Sequence, residues 1–247
     1  MLAGEAAAGN VTMGFTRTRK WALAWVFLFV GLTAGCDDEA AQRKAFVDYL
    51  QARIIDKPGL HVPRPTEAEA KSFGPYARNY QIILDFNEGL SRSVVQPMQA
   101  AMQRGAMRSL DDVVNRGADV VAVRESFKQL HDALLKALAT ADAAHAALKQ
   151  PNDLKAVFDT AYDRTVTIPA KTFDEIFPAM DQALGNILAM SDFLGQHKGQ
   201  VHMNGSMLDI SDPALRPQLQ KILDAITQSQ QAIAHAQQKI NAVADGT

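Results

Sequence analysis

The chain has 247 residues, with 25 Lys and Arg against 27 Asp and Glu, a formal net charge of −2 and a single cysteine. That balance gives no support to nucleic-acid binding, which wants clustered positive charge, and one cysteine excludes an intrachain disulfide. Aromatic residues make up 7% of the chain while Ala and Gln abound, which points to helices rather than a β-sandwich.

Residues 1–12 look like neither signal nor fold, and Met13, four residues before Arg17, is a candidate true start. Arg17, Arg19 and Lys20 form a cationic segment. Trp21 to Val30 is then almost wholly apolar, and the small residues Ala34 and Gly35 follow. This order is that of a secretory signal peptide. The uncharged run from Trp21 to Gly35 falls well below the roughly 20 residues that a spanning helix needs. Leu32-Thr33-Ala34-Gly35-Cys36 resembles a bacterial lipobox, with Leu32 one place early and Thr33 where leucine is commoner. The resemblance implies cleavage after Gly35 and acylation of Cys36. Residues 1–35 are therefore expected to be a lipoprotein signal peptide, and 36–247 a lipid-anchored helical domain.

The plainer alternative is an ordinary signal peptide with an incidental cysteine. Against it, a lone free thiol is unusual in a secreted protein. Partnership with the membrane would run through acyl chains on Cys36, since two or more such signals are needed for stable anchoring. Removing residues 1–35 takes away three basic residues and one acidic one, leaving 22 basic, 26 acidic and a charge of −4. Asp37 and Asp38 resemble the acidic signal that retains lipoproteins in the inner membrane of double-membraned bacteria. The expected location is thus the inner membrane, facing the periplasm. A domain that begins almost at once after Cys36 leaves little linker, so it should sit close to the membrane surface.

Gln42 to Ile55 reads as a first helix, with Phe46, Leu50 and Ile54 (and Val47) on one side. Pro58-Gly59, Pro63 and Pro65 make Asp56 to Pro65 a loop. Thr66 caps a helix with Glu69 as its capping-box partner, and Gly74-Pro75 breaks it early. Tyr76, Tyr80, Ile83, Leu90, Val94 and Met98 keep helical spacing beyond, while Pro97 should kink or interrupt that helix. Ser109 to Asp112 is another helix start, in which Asp111 and Asp112 read as first-turn charge favoured by the helix dipole. Gly117 is a weak point soon after.

From Val120 a seam runs through Val123, Phe127, Leu130, Leu134, Ala137, Ala141, Ala144 and Leu148, alternating three and four residues apart. The alanines would permit close helix approach. The helix stops at Pro151, and Asn152 or Asp153 can cap a short one with Leu154, Val157, Phe158 and Tyr162. Ile168-Pro169 begins the next, through Phe173, Phe177, Met180, Leu184, Ile187 and Leu194, with a kink or early break at Pro178. Asn204-Gly205 then lies between two short strand-like runs and suits a two-residue type I′ turn. Ser211 or Asp212 with Pro213 starts the last helix, striped by Leu215, Leu219, Ile222, Ile226, Ser229, Ile233, Ala236, Ile240 and Val243.

Most helical stability comes from burying an apolar face. The stripes should therefore face one another in an all-α fold, an elongated antiparallel helical bundle with one small β-hairpin near residues 200–210. Self-association through the seams stays open, because intramolecular and intermolecular pairing leave the same pattern.

Ala141 to Gln150, Asp153-Leu154-Lys155, Val157-Phe158-Asp159, Gln42 to Phe46, Phe73-Gly74-Pro75 and the hairpin at Asn204-Gly205 resemble the YiaF-like family of bacterial lipoproteins, whose function is unknown. The resemblance implies a lipid-anchored envelope protein and carries over no catalytic residue.

No catalytic constellation is expected. His145 and Asp142, three apart on one helix, can form a polarised pair, but no serine or cysteine nucleophile accompanies them. His131 lies about 21 Å from His145 at 1.5 Å per residue, too far to share a metal. His197 and His202 can approach at the hairpin's base, yet two ligands without a third make a poor zinc site. The chain has no Gly-rich phosphate loop and no His-Glu-x-x-His, so neither cofactor nor metal is implied. The expected role is a non-catalytic structural or interaction role in the envelope, with an unidentified envelope protein as partner. The alternative is a carrier or sensor binding an apolar small molecule or lipid between helices. Nine methionines and the cluster Phe173, Phe177 and Met180 suggest it. It requires a pocket of several hundred Å³.

Overall fold

A computed structural model describes residues 34–105, 110–204 and 207–247. The expected signal peptide lies outside the described residues up to Thr33, as do the side chains of Cys36 and Asp37. The chain divides into two compact units, 1–41 and 42–247. Of the first, only the helical residues 34–41 are described.

The expected all-α class is what the structure shows. Among the described residues it comprises α1 (Ala34–Leu50), α2 (Glu67–Ser72), α3 (Ala77–Leu90), α4 (Gln96–Gly105) and α5 (Leu110–Asn115). Then come α6 (Gly117–Ala146), α7 (Asn152–Tyr162), α8 (Ile168–Asp174), α9 (Ile176–Gln196) and α10 (Arg216–Asp245). Strands β1 (Val201–Asn204) and β2 (Met207–Ile210) pair antiparallel between α9 and α10. No helix among the described residues is long and apolar enough to cross a membrane.

The stripes read from the sequence are the faces that pack. Phe46, Leu50 and Ile54 are buried, as are Val120, Val123, Phe127, Leu130, Leu134 and Ala141 of α6. The ion pairs give directions. Arg124–Asp181 and His131–Asp174 set α6 against α8 and α9 running the opposite way. Asn186 with Ala225, and Glu175 with Lys239, set α9 against α10 likewise. Within the second unit the first helix and α7 run in the same direction, since Arg43 reaches Asp153 and Ile55 meets Arg164.

Local signals explain most boundaries. The Thr66 hydroxyl accepts from Glu69 N at 3.2 Å, and the Glu69 carboxylate accepts from Thr66 N at 2.8 Å, a complete capping box. Asp212 accepts from Ala214 N at 2.9 Å ahead of Pro213. α8 and α9 part at Glu175, three residues before Pro178. One cap differs: the residue before α7 is Pro151, extended and without a side-chain cap, so neither Asn152 nor Asp153 serves. Proline's fixed φ and missing N–H suit it to that edge.

Prolines inside the long helices are absorbed in an unexpected way. Pro97 and Pro169 are the second residues of α4 and α8, each directly preceded by a π-turn, Ser91–Val95 and Asp163–Thr167. A proline ring clashes with the carbonyl four residues before it, and a π-turn widens the helix there. For Pro169 that carbonyl is Thr165's, and Asn87 Nδ2 donates to it at 3.1 Å. The expected interruption at Pro97 thus takes the form of a wide turn.

The hairpin register also differs from the expectation. Val201 pairs with Ile210 and Asn204 with Met207, so the two-residue connection is Gly205-Ser206, outside the described residues, rather than Asn204-Gly205. This register sets two apolar residues opposite each other over a small core in which Ile210 is buried.

Candidate functional site

The helical stretches that carry the YiaF-like resemblance, from Gln42, Phe73 and Asp153 to Asp159, meet in space. Phe46 lies 5.3 Å from Phe73, 6.2 Å from Tyr76 and 6.2 Å from Phe158, measured between ring centroids. Arg43 pairs with Asp153 at 3.3 Å. The side chain of Gln42 occupies the space a Cβ on Gly74 would take, only 2.1 Å from that position. These residues build one aromatic cluster, to which Tyr49 and Tyr80 add edge-to-face contact at 5.5 Å. Such pairs contribute about 0.5–1.5 kcal/mol beyond their burial.

At its rim is a polar network on the α6–α7 hairpin. His145 Nε2 donates to Asp159 at 2.8 Å, and Lys155 reaches the same carboxylate at 2.6 Å. The His145 ring stacks on Tyr162 at 4.1 Å, and the Tyr162 hydroxyl donates to Asp142 at 2.7 Å. Asp142 is therefore engaged by Tyr162, and the partner of His145 lies across the hairpin rather than three residues back. Burial works to raise the Asp159 carboxyl, but Lys155 and His145 together hold it below the ordinary value. Burial, then the neighbouring Asp142, pushes the Tyr162 phenol well up.

The second polar site lies between α6 and α9, in a groove of about 540 Å³ with Phe127, Phe177 and Pro178 among its lining. His131 stacks on Phe177 at 4.8 Å and pairs with Asp174 at 2.5 Å. Further along, Arg124 makes two parallel bonds to Asp181, at 2.6 and 2.8 Å, the fork geometry that favours arginine. That bond holds the Asp181 carboxyl below its ordinary value, against burial, and raises the Arg124 guanidinium.

A His–Asp pair beside a groove is the constellation of a general base. Here the lining offers no serine, threonine, cysteine or tyrosine beside it. Among the described residues, no group of three or more His, Cys, Asp or Glu is placed to hold a metal ion. His197 meets Gln200 at 3.2 Å and Phe193 at 4.8 Å between rings, while the His202 side chain lies outside the described residues.

Phe173, Phe177 and Met180 do not form one pocket. Phe177 lines the groove, whereas Phe173 is packed on the main core and Met180 is buried in it. The small residues Ala133, Ala137, Ala141 and Ala144 of α6 face an open groove of about 400 Å³ shared with Ile82 and Phe86 of α3.

Cys36 and Asp37 fall in the first turn of α1, and Asp38 is exposed one residue on. Asp153 and Asp159 belong to stretches that carry the family resemblance, and Tyr162 to the apolar stripe of the helix after Pro151. Arg124, Asp174 and Asp181 were not singled out, and nothing local marks them, because Arg124 and Asp181 are 57 residues apart.

The family model described as "Protein of unknown function (DUF3053)" matches residues 23–241. The chain is similar to the uncharacterized protein YiaF of Escherichia coli K12, 31% identical over 195 residues that make up 78% of this chain and 82% of the relative. The YiaF proteins of Escherichia coli O157:H7 and Shigella flexneri stand at the same identity and coverage. No solved structure matches at a significant level.

Proposed function

This chain belongs to the DUF3053 family of proteins of unknown function, and from that premise we propose that it is a lipoprotein anchored through Cys36 and facing the periplasm, with a non-catalytic structural or protein-interaction role in the cell envelope. The observation that carries the reading is the order of Arg17 to Lys20, the apolar run from Trp21, and Ala34-Gly35-Cys36, in a chain with no other cysteine. Asp37 and Asp38 favour the inner membrane. The histidine–carboxylate pairs are consistent with a structural role, because each joins two helices.

Intact-mass spectrometry of membrane-extracted protein is expected to find a chain beginning at an acylated Cys36. An unmodified Cys36, or a retained signal, would refute the anchor. Fractionation should place the protein in the inner membrane, and recovery from the outer membrane with Asp37→Ser making no difference would refute the sorting role. Crosslinking in living cells should capture another envelope protein; self-contacts alone would count against the interaction role.

A second reading, a carrier or sensor for an apolar small molecule, is favoured by one observation. The α6–α9 groove has the volume of a small-ligand site and an aromatic wall of Phe127 and Phe177. Mass spectrometry of the purified protein should then find a co-purifying lipid or apolar compound, and its absence would remove this reading.

A further inference from the structure

Residues 56–65 form neither helix nor strand, yet their backbone is held at several points. The hydroxyls of Tyr49 and Tyr80 both donate to the Pro63 carbonyl, at 2.9 and 2.6 Å. The Arg164 guanidinium donates to the carbonyls of Ile55 and Lys57, the latter at 2.8 Å. Leu60 N donates to Ala244 O at 3.1 Å. Gly59, at φ +75°, lies so close to the end of α10 that a Cβ there would stand 2.2 Å from the Ala244 oxygen. Loops that carry function are positioned by a rigid scaffold in this way.

The outer face of this loop and the turn before it form a pocket of about 470 Å³ lined by Arg53, Lys57, Leu60, His61, Val62 and Pro63. Three of the six are basic and exposed, and none is acidic. The side chains of Lys57 and His61 make no hydrogen bond or ion pair among the described residues. Arg53 has Glu69 at 3.4 Å, the longest ion pair described. The Glu69 carboxylate is already bonded by the Thr66 amide at 2.8 Å and the Thr66 hydroxyl at 2.9 Å. Arg53 can therefore turn to another anion without undoing the capping box. Asp56, the nearest acid in the loop, is bonded to Gln51 at 2.6 Å.

Cations gathered on a fixed backbone with no acid in the lining concentrate anions locally. Arginine supplies a planar fork matched to phosphate, and lysine a mobile point charge. The volume exceeds what an inorganic ion needs, and Leu60, Val62 and Pro63 provide an apolar wall. We propose that the pocket formed by Arg53, Lys57 and His61 binds a phosphate ester, its phosphate on these three basic side chains and its organic part on the apolar wall. The phosphate comes from a lipid headgroup or a soluble ester, and the site does not depend on the anchoring of Cys36.

Binding is tested by thermophoresis on the full chain in non-ionic detergent at matched ionic strength. The probes are inorganic phosphate, glycerol 3-phosphate and short-chain phosphatidylglycerol below its micellar concentration. Saturable binding is expected with at least one ester tighter than inorganic phosphate. Preference for the lipid assigns the headgroup, and preference for glycerol 3-phosphate a soluble ester. Lys57→Gln with His61→Gln should weaken binding by about tenfold or more, the scale of a lost charged hydrogen bond. Arg53→Gln alone should also weaken it, while Lys221→Gln, an exposed position on α10 outside the pocket, should not. Absence of saturable binding by every probe overturns the proposal, as does equal weakening by Lys221→Gln or none from the pocket variants.

Discussion

The core around Phe46, Tyr80 and Phe158 and the core around Phe193, Ile210 and Leu219 are held in different ways. The first draws buried residues from α1, α3, α4 and α6 to α10 and the turns between them, and its centre is a cluster of tilted and edge-on aromatic rings. The second has five buried residues, Met190, Phe193, Leu194, Ile210 and Leu219, and one side of it is a two-stranded hairpin. A hairpin alone is marginal in water, so β1 and β2 depend on those few contacts. Helices that make their own backbone hydrogen bonds can spend side chains on packing. The hairpin must obtain both from its neighbours.

The largest effect should come from Phe158→Ala, which removes a fully buried ring and should cost about 3–5 kcal/mol of unfolding free energy in urea. Phe193→Ala should fall at the low end of that range and speed amide exchange first in β1 and β2. Equal acceleration in α7 would show that the two cores unfold as one. Gly59→Ala should cost about 2 kcal/mol, combining strain at positive φ with the collision at Ala244. Gly199→Ala beside the hairpin, at φ +87° with nothing within 4 Å, should cost only about 1 kcal/mol in the same urea series.

Smaller effects test the edges. Thr66→Ala removes the capping box of α2 and should cost about 1 kcal/mol by thermal melting. Asp181→Asn should cost less than about 1 kcal/mol, since the pair with Arg124 is solvent-exposed. Its pH dependence has a definite sign. The Asp181 carboxyl titrates below its ordinary value of about 3.9 when folded, so on acidification the unfolded chain takes up the proton first. The pair's contribution is present above that value and lost as pH falls through the folded one. Melting curves of the variant and the parent should therefore converge in acid.

Much of the helical frame was legible because its signals are local. The stripes of α6 and α10, the Thr66–Glu69 box and the break before Pro178 are each contained within a few turns of sequence. The wide turns before Pro97 and Pro169 were not, because the acceptor freed at Thr165 is satisfied by Asn87, 78 residues away. The i, i+3 spacing of Asp142 and His145 suggested a pair, but Tyr162 and Asp159 on the next helix offered each a better partner. Asn204-Gly205 is a strong turn signal, and the pairing of Val201 with Ile210 outweighed it. The proposed lipobox at Cys36 is legible for a related reason: a peptidase that cut there would read a short stretch, not a fold. The basic pocket of Arg53, Lys57 and His61 was invisible, since nothing in sequence shows that a proline-rich loop is fixed.

That fixed loop also sets an order of events. Leu60 cannot find its acceptor until Ala244 is present, near the far end of α10. A chain that emerges N-terminus first delivers the loop long before the helix that closes against it. Contacts so distant in sequence slow folding, because the entropy of closing the chain must be met before they form. Until α10 arrives, α9 has also lost its most extensive partner, and its apolar side invites association with other chains. A chaperone would have most to do at that stage, and maturation of this fold ends with its last helix.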